Sequence, residues 1–433
     1  MNHRNSTPSD EPRSRPKSGI TTISLALAAV ALAASACGSS SKSASTPPGS
    51  SPSGSSSSSG GTVVVGDATT LSGAIAQLGQ TGLQGVELAI SDLNAKGGLM
   101  GKTIKLVSAD DGVTPATGAS EVRNMITADH AAAIFGPVAS SVAAAEEQVT
   151  NQFGVPMFFY TSNDISLMRG GANKYAFQFV PNTLMEPNAV ADFFAKQEAG
   201  KQLTIATIAP DYSFGHDTVD GFVSALNRLH VNYKLVAQEY PPLTATNISS
   251  YLSAIVNANP DYVFNAQFGG DLVNFTQQAQ SFGLFQKTKV IAMYDYDVLK
   301  TLGSAAPAGS IGFDRAPFWA IPQVASFAAE YKAKYGDYPS EWAIMGYSAV
   351  QGWAYAVQKA GSFDASAVSR ALTGATVPTI RGDITIRACD HQAEIPEYVG
   401  VIASQPDPTY GVRLYSSTFT APFSDIAPAC PGA

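Results

Sequence analysis

Asp390 and His391 are adjacent, and a carboxylate beside an imidazole can move protons when a serine or cysteine nucleophile stands with them. No Gly-x-Ser-x-Gly elbow supplies that nucleophile, so the pair reads as structural. The other histidines, His3, His130, His216 and His230, never fall at i and i+4 or beside paired cysteines. Those are the spacings that would hold a metal ion, so none is expected. Gly97-Gly98-Leu99-Met100-Gly101-Lys102-Thr103 mimics a phosphate loop but is one spacer residue short. It also follows a helical pattern and precedes a strand, whereas phosphate sits on amides at a helix N-terminus. Gly79, Gly82 and Gly85 lack the spacing of a dinucleotide fingerprint. With no nucleophile, metal set or cofactor loop, the chain reads as a non-enzyme without cofactors.

The cysteines carry a different chemistry. Arg4, Arg13, Arg15 and Lys17 precede an uncharged run through Ile20, Leu25, Val30 and Leu32, which closes on Ala34-Ser35-Ala36-Cys37. This is the layout of a secretory signal, and its end resembles a bacterial lipoprotein processing site. The apolar run is shorter than the roughly 20 residues that span a bilayer. Residues 1–36 are therefore expected to be removed and Cys37 acylated, each buried methylene contributing about 0.8 kcal/mol of membrane affinity. Residues 37–61 are mostly Ser, Gly and Pro and read as a flexible tether. An exported protein with two further cysteines, Cys389 and Cys430, is expected to join them in a disulfide. Charged residues make up 14% of the chain and the net charge is −8, which argues against nucleic acid as a partner.

From Thr62 onward, short β-branched runs alternate with helical spacing. Strands are expected at 62–65, 104–107, 133–135 and 155–160. Helices between them carry Leu83, Val86, Ile90 and Leu93, then Val122, Met125 and Ile126, then residues 142–153. A second series has strands at 203–208, 233–237, 262–265 and 290–293, with helices at 218–229, 248–257 and 272–282. Such alternation builds parallel sheets covered by helices on both faces. The expected fold is α/β, with two doubly wound parallel-sheet lobes and a ligand cleft beyond the carboxyl ends of the strands. Crossings between lobes are placed around Asn182, at 313–316 and at 380–382. Lobe one is then 62–181 plus 317–380, and lobe two 182–316 plus 381–433.

Val65-Gly66-Asp67-Ala68-Thr69-Thr70-Leu71-Ser72-Gly73, Gly79, Gly85, Asp92-Leu93-Asn94-Ala95-Lys96-Gly97-Gly98 and Asp110-Asp111 form a string with a known likeness. It resembles the leucine/isoleucine/valine-binding family of solute receptors for ABC transporters, which has the type I periplasmic binding protein fold. The resemblance implies three crossovers, a small-molecule ligand such as an amino acid, and closure recognised by a membrane permease. In Gly136-Pro137-Val138-Ala139-Ser140-Ser141 a loop follows a strand and opens a helix, which suits a ligand carboxylate. The resemblance assigns that contact to Ser140, with Ser141 as the alternative and a plain helix cap as the structural reading. After the next strand it points to Thr161 and Asn163, the latter equally able to form a turn. Phe214 and Phe268 match aromatic residues that close over the ligand, with plain core as the alternative for both. Asp295 matches an acid that pairs a ligand ammonium, which opposite Ser140 would make a zwitterion trap. A solvated loop aspartate is the competing reading. The bulky residues Phe159, Tyr160 and Tyr294 are further pocket candidates.

These readings converge on an extracytoplasmic, monomeric solute receptor, lipid-anchored to the membrane and serving an ABC permease. It would take a small amino acid of the branched-chain type, or a related carboxylate or amide. A ligand-sensing module of the same fold, signalling to a membrane partner, is the alternative.

Overall fold

The computed structural model describes residues 60–168 and 173–430. The expected leader, the expected acylation site Cys37 and the expected tether up to residue 59 lie outside the described residues. Elements alternate from the start: β1 (Thr62–Thr69), α1 (Ala76–Ala95), β2 (Thr103–Asp110), α2 (Pro115–Thr127), β3 (Ile134–Phe135), α3 (Ser140–Phe153), β4 (Met157–Phe159) and β5 (Ala176–Gln178). These strands form one parallel sheet in the order β2-β1-β3-β4-β5. Central strand residues such as Val65, Ile134, Phe158 and Phe177 are fully buried, as expected where helices cover both faces.

The second series follows: α4 (Met185–Gln197), β6 (Leu203–Ile208), α5 (Ser213–Arg228), β7 (Tyr233–Glu239), α6 (Ser249–Ala258), β8 (Tyr262–Asn265), α7 (Gly269–Ser281), β9 (Lys289–Ala292), α8 (Tyr296–Leu302) and β10 (Ile311–Asp314). Then come α9 (Ala325–Tyr335), α10 (Glu341–Ala360), α11 (Ala365–Leu372), β11 (Thr376–Thr379), β12 (Gly382–Thr385), β13 (Glu397–Ile402), β14 (Tyr415–Ala421) and α12 (Phe423–Ile426). The second sheet has the order β14-β13-β10-β9-β8-β6-β7. Strands β6 to β10 run parallel, while β13 and β14 add an antiparallel edge. The fold is the expected α/β pair of doubly wound lobes, with that edge drawn from a C-terminal stretch in which no alternation is legible.

The chain crosses from the first sheet to the second between β5 and β6 and leaves the second sheet after β10. Asn182 lies between β5 and α4, and Asp314-Arg315 leaves β10 for the helices that return to the first sheet. The third crossing lies further along the chain. Ile380 and Arg381 form the turn of the β11 and β12 hairpin, and the chain runs beside the first sheet again at Gln392, which bridges to Gln178. Passage to the second sheet comes after Gln392, because that bridge ties the preceding segment to the edge of β5.

Local chemistry explains the element ends. Asn94 near the end of α1 both donates to and accepts from the backbone of Ile104 at 2.8 Å, fastening the helix to β2. The Gly97 to Thr103 stretch is a turn, with Gly98 donating to Leu93 O in a left-handed backbone. The α1 glycines serve packing. A Cβ on Gly85 would lie 2.0 Å from Ala343 O, so α1 and α10 approach too closely for any side chain there. The Cys389 to Cys430 disulfide forms as expected and ties the C-terminal tail to the segment beside β5. Among the described residues, no helix is long and apolar enough to cross a membrane.

Candidate ligand cleft

Each wall of the cleft is built by a strand, a loop and a helix start. β3 ends at Phe135, and Gly136 turns the chain at φ +109°, where a Cβ would meet Ala68 O at 2.3 Å. Val138 and Ala139 then lead into α3, whose first residue, Ser140, is 3% exposed. Ser140 Oγ accepts from the backbone N–H of Asp164 at 3.3 Å, joining this loop to the one after β4. In that second loop, Asn163 Nδ2 donates to Pro181 O at 2.9 Å, so Asn163 braces the first crossing. Thr161 Oγ1 is buried and has no hydrogen-bond partner among the described residues.

The opposite wall comes from the second sheet. Phe214 sits in the first turn of α5 and Phe268 caps α7, their rings edge to face at 5.4 Å and 86°. Tyr212 stacks on Phe214 at 5.7 Å. Ser140, Thr161, Asn163, Phe214 and Phe268 thus line one cleft together, a narrow one with a volume of about 10 Å³, room for about one water molecule.

Six lining residues were not among the site candidates read from the sequence: Leu78, Val138, Tyr212, Met293, Arg315 and Trp342. Arg315 stands in the second crossing and is 1% exposed. Its Nε donates to Glu186 and its Nη1 to Thr161 O at 2.9 Å, while its guanidinium lies 4.8 Å from the Trp342 ring. Its backbone N–H donates to Glu341 Oε2 at 2.6 Å. Burial works against the arginine charge, but the Glu186 and Glu341 carboxylates outweigh it and hold its pKa above the ordinary value. Burial pushes Glu341 well up and Glu186 up, the latter against the pull of Arg315. The one available signal was Asp314-Arg315, a charged pair inside an otherwise apolar crossing. Val138 lay in the Gly136 to Ser141 motif already singled out, and Tyr212 two residues before Phe214. Trp342, far along the chain on α10, gave no local signal.

Ser141 and Asp295 are not among the lining residues. Ser141 is half-buried on α3. Asp295 is neither solvated nor free: it caps α8 by accepting from Val298 N at 2.8 Å and also accepts from Trp342 Nε1 at 3.3 Å. Burial raises its pKa to about 6. The bulky candidates also lie elsewhere. Tyr160 donates to Asp67 at 3.1 Å inside lobe one, Phe159 is packed in a satellite core with Met157 and Leu167, and Tyr294 pairs with Thr276 at 3.4 Å. Phe159 ends β4, Tyr160 and Tyr294 follow β4 and β9, and all three are fully buried.

Comparison with known proteins gives this geometry a context. Residues 62–405 match a family described as periplasmic binding protein. A Leu/Ile/Val-binding protein homolog 7 of Brucella suis biovar 1 is 30% identical over 330 residues, covering 73% of this chain and 82% of that one. A solute binding protein of an ABC transporter from Rhodopseudomonas palustris BisB5, in complex with 3,4-dihydroxy benzoic acid, superposes with a TM-score of 0.75 at 22% identity. That match covers 83% of this chain and 98% of that one. The branched-chain amino acid transporter substrate binding protein LivJ from Streptococcus pneumoniae, in complex with isoleucine, gives 0.71 at 18%, covering 83% and 99%.

Proposed function

The chain belongs to the periplasmic binding protein family, and from that premise we propose that it is a solute-binding lipoprotein of an ABC importer. In this reading Cys37 carries acyl chains and residues 37–61 tether the receptor outside the cytoplasmic membrane. We divide the remainder into lobe one, 62–181 with 317–392, and lobe two, 182–316 with 393–430. They close on a small amino acid of the branched-chain type or a related carboxylate or amide, and a membrane permease receives the closed form.

One observation carries this reading. The cleft takes hydroxyl and amide groups from one sheet and aromatic rings from the other, and Arg315 in a crossing segment lines it with both and donates to Thr161 O. A ligand that contacts both walls shifts an open and closed equilibrium toward closure. The relative's name refers to leucine, isoleucine and valine, and the neighbouring structures hold isoleucine or an aromatic acid, all of which are small carboxylates.

A thermal-shift panel of amino acids, aromatic acids, amides and sugars tests it. A ligand at 100 times its Kd stabilises the native state by about 2.7 kcal/mol. Silence across the panel, or turnover of any member, refutes the receptor reading. Cys37→Ser should abolish palmitate labelling and release the protein from membranes; unchanged partitioning removes the anchor.

A further inference from the structure

The charge of the ligand is written into the cleft. Among its lining residues there is one charged side chain, Arg315, and no carboxylate. Helices α3, α5 and α7 all begin at this cleft, behind Ala139, Tyr212 and Phe268, and none has a side-chain cap among the described residues. Their first N–H groups and positive dipole ends favour an anion. Thr161 gives an independent sign. Its hydroxyl lines the same space, is 3% exposed and has no partner among the described residues, so it is available to an incoming oxygen.

No carboxylate lines the cleft, and those behind its walls have partners: Glu341 and Glu186 pair with Arg315. Asp295 spends its oxygens on Val298 N and Trp342 Nε1. Asp164 accepts from Ser166 N and Asp271 from Thr244 N, both at 2.8 Å, and Glu186 holds Arg315. Glu186 and Glu341 hold the Arg315 guanidinium charged and in place, and a carboxylate on its N–H groups gains charge-assisted hydrogen bonds about twice as strong as neutral ones. The remaining walls are flat: Phe214 and Phe268 meet edge to face, and Tyr212 and the Trp342 indole flank them. Such faces suit a ring by offset or edge-on stacking.

We propose that this cleft selects aromatic carboxylates that carry no ammonium. Arg315, the Thr161 hydroxyl and the start of α3 hold the carboxylate, while Phe214, Phe268 and Trp342 hold the ring. The inference rests on the receptor reading and narrows it. Because the space is about 10 Å³, a ring fits only when its walls move apart.

Calorimetric titration of the mature protein with benzoate, benzamide, phenylalanine and leucine tests it without mutation. Benzoate is expected to bind at least 100-fold more tightly than benzamide, which has its shape without its charge, and than both amino acids. Leucine or phenylalanine binding as tightly as benzoate overturns the proposal and leaves the receptor reading intact. Silence of all four with a response to another class in the thermal-shift panel also overturns it alone, whereas silence of the entire panel overturns both. Arg315→Lys, which keeps the charge and loses the fork, should weaken benzoate about tenfold. If that variant does not fold, the comparison of benzoate with benzamide on the unaltered protein still decides.

Discussion

Asp67→Asn should make the protein more stable at pH 8 while changing little at pH 4. Asp67 lies on β1, is fully buried, and accepts from Tyr160 Oη at 3.1 Å. Burial raises its pKa from 3.8 to about 7, opposed by the Tyr160 hydrogen bond and assisted by the Asp111 and Glu87 charges. In the unfolded chain the same group titrates near its ordinary value. Below about pH 4 both states hold the proton and Asp67 imposes no pH dependence. Between about 4 and 7 unfolding releases a proton, so stability falls by about 1.4 kcal/mol per pH unit, and above 7 the loss is complete. Over that interval the loss reaches on the order of 4 kcal/mol as an upper bound. The amide of Asn never ionises but still accepts from Tyr160. Urea denaturation of both proteins from pH 4 to 8 measures the difference directly. Other buried acids, such as Asp314 at about 7, add a slope common to both proteins, so the difference between them isolates Asp67. Equal destabilisation of the variant at every pH would show that Asp67 is ionised in the fold, refuting the burial argument.

Three further outcomes follow from geometry. Replacing Cys389 and Cys430 together by serine frees a loop of 41 residues and should cost about 4 kcal/mol in the chain-entropy limit, read as a lower Tm matched by wild type in reductant. No Tm difference would mean the tail is held by other contacts, such as Arg387 Nη1 to Pro428 O. Gly85→Ala should destabilise by roughly 1 to 3 kcal/mol in chemical denaturation because its Cβ would strike Ala343 O, whereas Gly61→Ala, which meets nothing within 4 Å, should fall within about 0.5 kcal/mol of wild type. Ser140→Ala should weaken the best ligand of the panel by roughly 1 to 3 kcal/mol, measured by calorimetry. Unchanged affinity takes Ser140 out of the binding site.

Local signals were enough for much of the architecture. Period-two and period-3.6 patterns are properties of neighbouring residues, so β1 to β4, β6 to β9 and helices α1 to α3 and α5 to α7 were legible without knowing what they touch, while the short β5 and the helix α4 were not. A strand that ends in a loop and feeds a helix also announces where a cleft lies, which is why Ser140, Thr161, Phe214 and Phe268 meet as expected. Asp295 instead caps α8, a helix the sequence reading did not place.

Tertiary structure decided what depends on partners distant in the chain. The spacing of Gly79, Gly82 and Gly85 excluded a cofactor loop but could not reveal the backbone of α10 pressed against α1. Arg315 becomes a cleft residue only because Glu186, Thr161 and Trp342 arrive from three separate elements. Asp295 is withdrawn from the ligand by the Trp342 indole of α10. The sequence determined which elements form because periodicity is local. The sign of charge in the cleft emerged only on folding, because burial and pairing are set by residues brought together from across the chain.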